Sequence, residues 1–305
     1  MSVEYVTFSN LIIDDIVFPD GRSRMNTLGG SGTHALVGMM LWNQHLGYAA
    51  AVGDDLEQAH RDSLQRFGVN TDGLVVREDY KTARAWQIFE EDGTRIEIFR
   101  TSHEEFRKRK VQAEDLPPSY PAAKGFHIQW GTSEELATLF AFLTRQNPGV
   151  KLILEVGSGL KLSPGKFEEL CPQLALFSPD REEGLILAGT SDPHQLCDIF
   201  IQLGVPVVAI RMGASGALLK TRDSSAWMLP AVPTDIVDVT GAGNSFCGGF
   251  MTGLGDGLTP LEAGLRAAVS ASFALEQIGL PQWDTIPTAE ADKRLAWARE
   301  QVRSA

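Results

Sequence analysis

Cysteine is scarce in this chain: Cys171, Cys197 and Cys247 are far apart and form no CxxC pair. Such a sparse, odd set carries no zinc signature or disulfide framework, and predicts reduced thiols in a cytosolic protein. Long apolar runs are missing, since none approaches the ~20 residues needed to span a bilayer. The opening MSVEYVTFSN lacks the basic-then-apolar plan of a secretory signal, so the expected location is cytoplasmic, with no membrane partner. Positive charge is in deficit, with 27 Lys and Arg against 39 Asp and Glu and a net charge of −12. Binding a polyanion depends on concentrated Lys and Arg, so nucleic acid is not an expected partner. The one basic cluster, FRKRK at 106–110, is followed closely by Glu114 and Asp115 and has the look of a solvated helix face. Internal repeats and low-complexity linkers are absent as well, so nothing forces a division into independent domains.

What is present suffices for one large α/β domain: 305 residues, 43% hydrophobic and 22% charged, enough for a well-buried core. The opening VEYVTFSNLIIDDIVF is β-rich, THALVGMMLWNQHLG (33–47) predicts a buried helix ending at Gly47, and YAAAVGDD follows as a strand and turn. LEQAHRDSLQRFG (56–68) is amphipathic and stops at Gly68. ARAWQIFEEDGTRIEIFR (83–100) alternates on both sides of Asp92-Gly93, which predicts a hairpin. From 125 onward the strand candidates GFHIQWG, VKLILEVG, LALFSPD and VPVVAIRMG alternate with helical segments at about 133–146, 166–172 and 192–203. A second hairpin, GALLKTRDSSAWMLPAV, precedes helices near 243–254, 260–278 and 288–302. This order predicts a parallel sheet with helices on both faces, and ligands beyond the carboxyl ends of its strands.

DVTGAGNSFCGGF (238–250) is the stretch with chemistry in it. Gly241, Ala242 and Gly243 open a helix and let backbone N–H groups approach a ligand, and helix N-termini attract phosphate. By itself Gly-Ala-Gly could equally be a tight strand-to-helix turn that binds nothing. In context, Asp238-Val239-Thr240-Gly241-Ala242-Gly243-Asn244 resembles the Asp-Thr-x-Gly-Ala-Gly-Asp signature of the ribokinase-like, or pfkB, carbohydrate kinases. Five further segments match in order: SNLIIDD with Asp14, GGSGTHALVG with Gly29, Gly30 and His34, VGDDLEQAHRDSLQRFGVNTDGL, SPDREE and RMGASGALL.

The resemblance implies one ribokinase-like domain over 1–305, an α/β/α fold with a mostly parallel sheet. It adds a small β lid formed from about 15–28 and 83–100. It further implies ATP and Mg²⁺ as cofactors and a sugar or nucleoside-like substrate held between lid and sheet. Asp14, Gly29, Gly30 and His34 would face that substrate, and Glu155, a carboxylate at the end of the strand candidate KLILE, is a further candidate from its position alone. Asp238, Thr240, Gly213, Gly216, Asp180 and Glu183 would face the nucleotide, the last two also holding Mg²⁺ through water. Gly241, Ala242, Gly243, Asn244 and Arg211 would act on the transferring phosphoryl group.

Three positions depart from the pattern. Asn244 stands where the family has its proton-accepting Asp, and an amide cannot take that proton. General base catalysis typically contributes 10²- to 10⁴-fold, so transfer is expected to be altered or weakened. His34 replaces a substrate-binding Asn: it is either a hydrogen-bonded core histidine or a contact to a substrate hydroxyl, even a substitute base. Arg211 replaces a small hydroxylic residue, and either anchors phosphate or pairs with a carboxylate such as Asp180 or Asp238. Asp180 and Glu183 either organise water around Mg²⁺ or begin a helix at 180. Three readings stay open: a sugar kinase, a non-catalytic sugar- and nucleotide-binding protein, and an enzyme of another reaction type using Asp14 or Glu155. Exposed lid strands also leave room for a homodimer.

Overall fold

Alternate residues of the central strands belong to different cores, which is the mark of a sheet covered on both faces. In Lys151–Leu154, Ile153 packs into one cluster and Leu152 and Leu154 into the other. In Val207–Arg211, Val207 and Ala209 face the first cluster, Val208 and Ile210 the second. Helices Ser31–Met40, Ala242–Gly255 and Pro260–Leu275 line the first face with Leu36, Phe250 and Phe273. Ser133–Gln146, Lys166–Leu170 and Pro193–Gln202 line the second with Phe140, Phe167 and Phe200. The computed structural model describes residues 2–91, 95–129, 131–157, 160–161 and 165–305.

Across the sheet, Leu176–Phe177, Lys151–Leu154, Gly125–Ile128, Tyr5–Phe8 and Leu46–Val52 run parallel, and Val207–Arg211 joins beside Leu176–Phe177. The hairpin Ala217–Thr221 and Ala226–Leu229 extends this edge antiparallel, as its sequence predicts. Arg303–Ser304 adds a last short strand that has no sequence signal. The β-rich opening therefore divides, because Tyr5–Phe8 sits in the central sheet and Ile12–Val17 in a second, four-stranded one. That second sheet runs Ser23–Gly29, Ile12–Val17, Arg84–Phe89, Arg95–Phe99, with a bulge between Asp14 and Ile16. Ala85 pairs with Phe99 in the expected hairpin, and its Asp92-Gly93 turn lies outside the described residues.

One predicted boundary is corrected. The helix foreseen over 33–47 spans Ser31–Met40 instead, and residue 46 already begins the strand Leu46–Val52. The intervening turn is fixed by Asn43, whose side-chain oxygen accepts from the His45 N–H at 2.7 Å. Gly47 is not a cap: it lies within the strand, where a Cβ would press on Tyr120 and Val3. Gly68 does close its helix region at φ +79°.

Candidate active site

Two helix N-termini meet at one cavity. Ala242–Gly255 is capped by Gly241 at φ +78°, a left-handed conformation that favours glycine. A Cβ at Gly241 would overlap the His34 ring, and one at Gly243 would overlap the Arg211 guanidinium. The turn ahead of it is set by Asp238, whose carboxylate accepts the Thr240 N–H at 2.8 Å. Ser31–Met40 starts after Gly30, and its Ser31 N–H donates to the Asn10 side-chain oxygen at 3.0 Å. Backbone contact holds the two helices together, because a Cβ at Gly38 would strike the Ser245 carbonyl and one at Gly248 the Ala35 carbonyl. The Ser245 hydroxyl donates to the His34 carbonyl at 2.6 Å.

The cavity, about 350 Å³, lies between these helices and the four-stranded sheet. On one wall are Asn10, Asp14, Gly30, Ser31 and Gln87; on another are Thr240, Gly241 and Asn244; Phe99, His103 and Phe106 close a third side. Phe99 stacks on His103 at 5.0 Å and meets Phe106 edge-on at 4.8 Å. Arg95 reaches from the small sheet to the Thr240 hydroxyl at 3.1 Å, tying sheet to turn.

Asp14 is buried and accepts one hydrogen bond from the Gln87 amide at 3.1 Å. Burial pushes its carboxyl up to about 7, against the lowering effect of that hydrogen bond. Gly29 must be glycine beside it, since a Cβ there would overlap the Asp14 carboxylate. His34 is 7% exposed, and burial pushes its imidazole down to about 4, with Asp238 opposing. It is therefore neutral at pH 7.

Behind the turn lies a buried ionic network. Arg211 pairs with Glu183 at 2.8 Å and Glu155 at 3.4 Å, and donates to the Ser178 carbonyl at 2.9 Å. Desolvation works against the guanidinium, but Glu155 and Glu183 outweigh it and keep Arg211 charged. Glu155, 2% exposed, also meets His127 at 2.7 Å, whose other ring nitrogen lies 3.1 Å from the Thr7 hydroxyl. The Asn244 amide is assigned with its nitrogen toward Glu155 Oε2 and the Ser31 carbonyl, each at 3.3 Å. An amide in that place donates to a carboxylate, where an aspartate would face a like charge.

A model of the pfkB family of carbohydrate kinases matches residues 11–285. The chain belongs to that family. Among curated relatives, the cytidine kinase of Thermococcus kodakarensis is 27% identical over 271 residues, covering 87% of this chain and 92% of that protein. The nucleoside kinase of Methanothermobacter thermautotrophicus is 27% identical over 98% of this chain and 97% of its own length. Among solved structures, the Arabidopsis thaliana ribokinase complexed with ribose and ATP aligns with a TM-score of 0.75, 18% identity and 97% and 99% coverage. The nucleoside kinase of Methanocaldococcus jannaschii gives 0.73 at 19% identity, with the same coverages. The fold is thus ribokinase-like, and the family's activity is phosphoryl transfer.

Within this pfkB site, the structure groups Asp14, Gly30, His34, Thr240, Gly241 and Asn244 around the cavity, with Gly29 pressed behind Asp14. It sets others apart. Arg211 pairs with carboxylates as one reading expected, but with Glu155 and Glu183 rather than Asp180 or Asp238. Glu155 points into the ionic network and does not line the cavity. Asp180 and Glu183 form the capping box of Arg181–Ala188, each carboxylate accepting the other's backbone N–H at 2.8 Å. Burial raises the Glu183 carboxyl. No group of three metal-ligating side chains occurs among the described residues, so a cation fits here only if phosphates and water supply most of its ligands. Gly216, at φ +80°, and Gly213 shape the turn after Val207–Arg211, outside the cavity. Sequence reasoning missed Asn10, Gln87, Arg95 and His127. A polar residue inside the apolar run GFHI was the available signal for His127.

Proposed function

We propose that this pfkB chain is an ATP-dependent kinase for a hydroxyl of a sugar or nucleoside-like small molecule, slowed by the amide at position 244. One observation carries the reading: a single cavity joins the N-terminus of Ala242–Gly255 to the buried carboxyl of Asp14. Backbone N–H groups at Ala242, Gly243 and Asn244 would meet the transferring phosphoryl group, where helix polarity favours negative charge. Asp14 and Asn10 would hold substrate hydroxyls, and Gln87 would orient the Asp14 carboxyl. The relatives that act on cytidine and other nucleosides, with the Phe99, His103 and Phe106 wall, favour an acceptor bearing a planar ring.

Arg211 would act as fixed positive charge behind the turn rather than as a direct phosphate ligand. Asp238 and Thr240 would shape the nucleotide loop, with Gly213 and Gly216 on its far side. Mg²⁺ would arrive on the nucleotide, with Asp180 and Glu183 reaching its water shell. Bound there, it would neutralise phosphate charge. The four-stranded sheet would serve as lid, within one domain spanning the chain. Its outer side exposes Trp86, Ile96 and Ile98, a face suited to a second copy of this chain. Buried free cysteines and the lack of a membrane-spanning helix among the described residues favour a cytoplasmic setting.

The test is Mg²⁺-dependent conversion of ATP to ADP with a panel of nucleosides and sugars, for the parent and Asn244→Asp. The expected outcome is slow, acceptor-dependent turnover that rises tenfold or more with the carboxylate, since a lost base typically costs 10²- to 10⁴-fold. Binding of sugar with neither ATP nor ADP detectable by calorimetry would end the kinase reading. Binding of nucleotide and acceptor without turnover in either protein would favour the non-catalytic reading, which Asn244 itself recommends.

A further inference from the structure

An alcohol must lose its proton when it attacks phosphorus, and the cavity wall beside the glycine turn offers few groups that can accept one. Asn244 cannot, because its amide has no basic lone pair at neutral pH and its nitrogen faces Glu155 and the Ser31 carbonyl. Glu155 does not line the cavity. Asp14 lies on the small-sheet wall, held by Gln87. His34 combines a ring that can accept a proton with a place at the turn itself: it lines the cavity and packs so closely on Gly241 that a Cβ there would overlap its ring. No hydrogen bond to its ring nitrogens occurs among the described residues, and the ring faces the cavity with His34 7% exposed.

We propose that His34 is the catalytic proton acceptor of this site, taking the hydroxyl proton of the acceptor through a ring nitrogen. The inference rests on the kinase reading above and adds the residue that does the proton transfer. The step balances simply. The acceptor O–H breaks and its proton goes to the imidazole nitrogen. The oxygen forms a bond to the γ-phosphorus of the nucleoside triphosphate as the bond to the β-phosphate oxygen breaks. The nucleoside diphosphate departs, and imidazolium returns its proton to water.

The imidazole starts in the form this role needs, because burial keeps it neutral at pH 7. The charged groups acting on it are Asp238 on the turn loop, Arg95 from the small sheet and Glu155 at the end of its strand. Phosphate binding would add negative charge to this set and make the imidazole more basic at the moment of transfer. The His34 backbone is also held in place, since the Ser245 hydroxyl donates to the His34 carbonyl and Gly38 and Gly248 lock its helix to Ala242–Gly255.

The experiment compares the parent, His34→Asn, His34→Gln and the double variant His34→Asn with Asn244→Asp. Turnover is measured with ATP, Mg²⁺ and cytidine, adenosine, ribose or fructose as acceptor, and ADP affinity by calorimetry. The expected result is a kcat at least 100-fold lower in both single His34 variants, with ADP affinity within threefold of the parent. The double variant should recover at least tenfold over His34→Asn, because a carboxylate at 244 supplies a base that a structural role could not exploit. Turnover by the parent together with a kcat within fivefold in either folded, ADP-binding His34 variant overturns the assignment alone. No turnover by the parent with any acceptor overturns the kinase reading and the assignment with it.

Discussion

Asp14 carries a cost that pH can reveal. Its carboxyl titrates near 7 in the folded chain against 3.8 in an unperturbed one, so the native state holds a proton that the unfolded state has released between those values. Stability from this group is therefore fully present below pH 4 and declines as pH rises to about 7. Asp14→Asn removes the charge, so it should raise the melting temperature at pH 8, by on the order of 2 kcal/mol in stability, and leave it unchanged near pH 4. Thermal denaturation at the two pH values checks this, and a lower melting temperature at pH 8 would count against a buried, unpaired carboxylate. The same variant should weaken acceptor binding, which separates function from stability at one residue. His34 has the opposite sign. Its pKa falls from 6.5 to about 4, so folding loses stability as pH drops through that interval. Gly241→Ala should be worse than either. The methyl meets the His34 ring and the backbone sits at φ +78°, so a loss of roughly 1–3 kcal/mol and of ADP binding is expected by denaturation and calorimetry.

Among elements, the helix Arg181–Ala188 depends on its reciprocal cap. Asp180→Ala removes one half of it, the acceptor of the Glu183 N–H, while the Glu183 carboxylate keeps the residue-180 N–H and Arg211 as partners. A stability loss of about 1 kcal/mol is expected by chemical denaturation. This element also shows what sequence can and cannot convey. Asp180 announced a helix start through local chemistry, because a cap acts within three residues. Arg211 left phosphate and carboxylate equally open, and its partner Glu155 is so distant along the chain that only the sheet order brings the two together. The central strands and the 83–100 hairpin were legible from period and turn residues. Gly47 misled because a glycine needed for close packing on Tyr120 looks, in sequence, the same as one that ends a helix. The cavity wall formed by Thr240, Gly241 and Asn244 was legible as one stretch, because its residues are contiguous. Gln87 and Arg95 were not, because nothing local distinguishes the inward face of that hairpin from its outward one.

For the whole molecule, ligand binding should register as global stabilisation. ATP with Mg²⁺ at 100 times its dissociation constant adds about 2.7 kcal/mol to a one-site protein, a shift of several degrees in thermal denaturation. No shift with ATP or ADP at millimolar concentration would argue against a nucleotide site. If the outer face of the small sheet joins two copies, Trp86→Ser with Ile98→Ser should move the protein to the monomer mass in light scattering. Both side chains are partly exposed, and Trp86→Ser also removes the ring on which Arg100 stacks at 4.9 Å, so the variant's fold is checked by its melting temperature alongside its mass.

The crossing of Ser31–Met40 with Ala242–Gly255 has a dynamic corollary. With Gly38 against the Ser245 carbonyl and Gly248 against that of Ala35, neither helix can slide or open without lifting the other. Their amide protons should consequently exchange with deuterium as one cooperative unit, among the slowest in the molecule. The four-stranded sheet is tied to the turn by the Arg95–Thr240 contact and should exchange sooner. The spacing between residues 34 and 241 would then be a constant of the folded chain, and any widening of the cavity a matter for the small sheet alone.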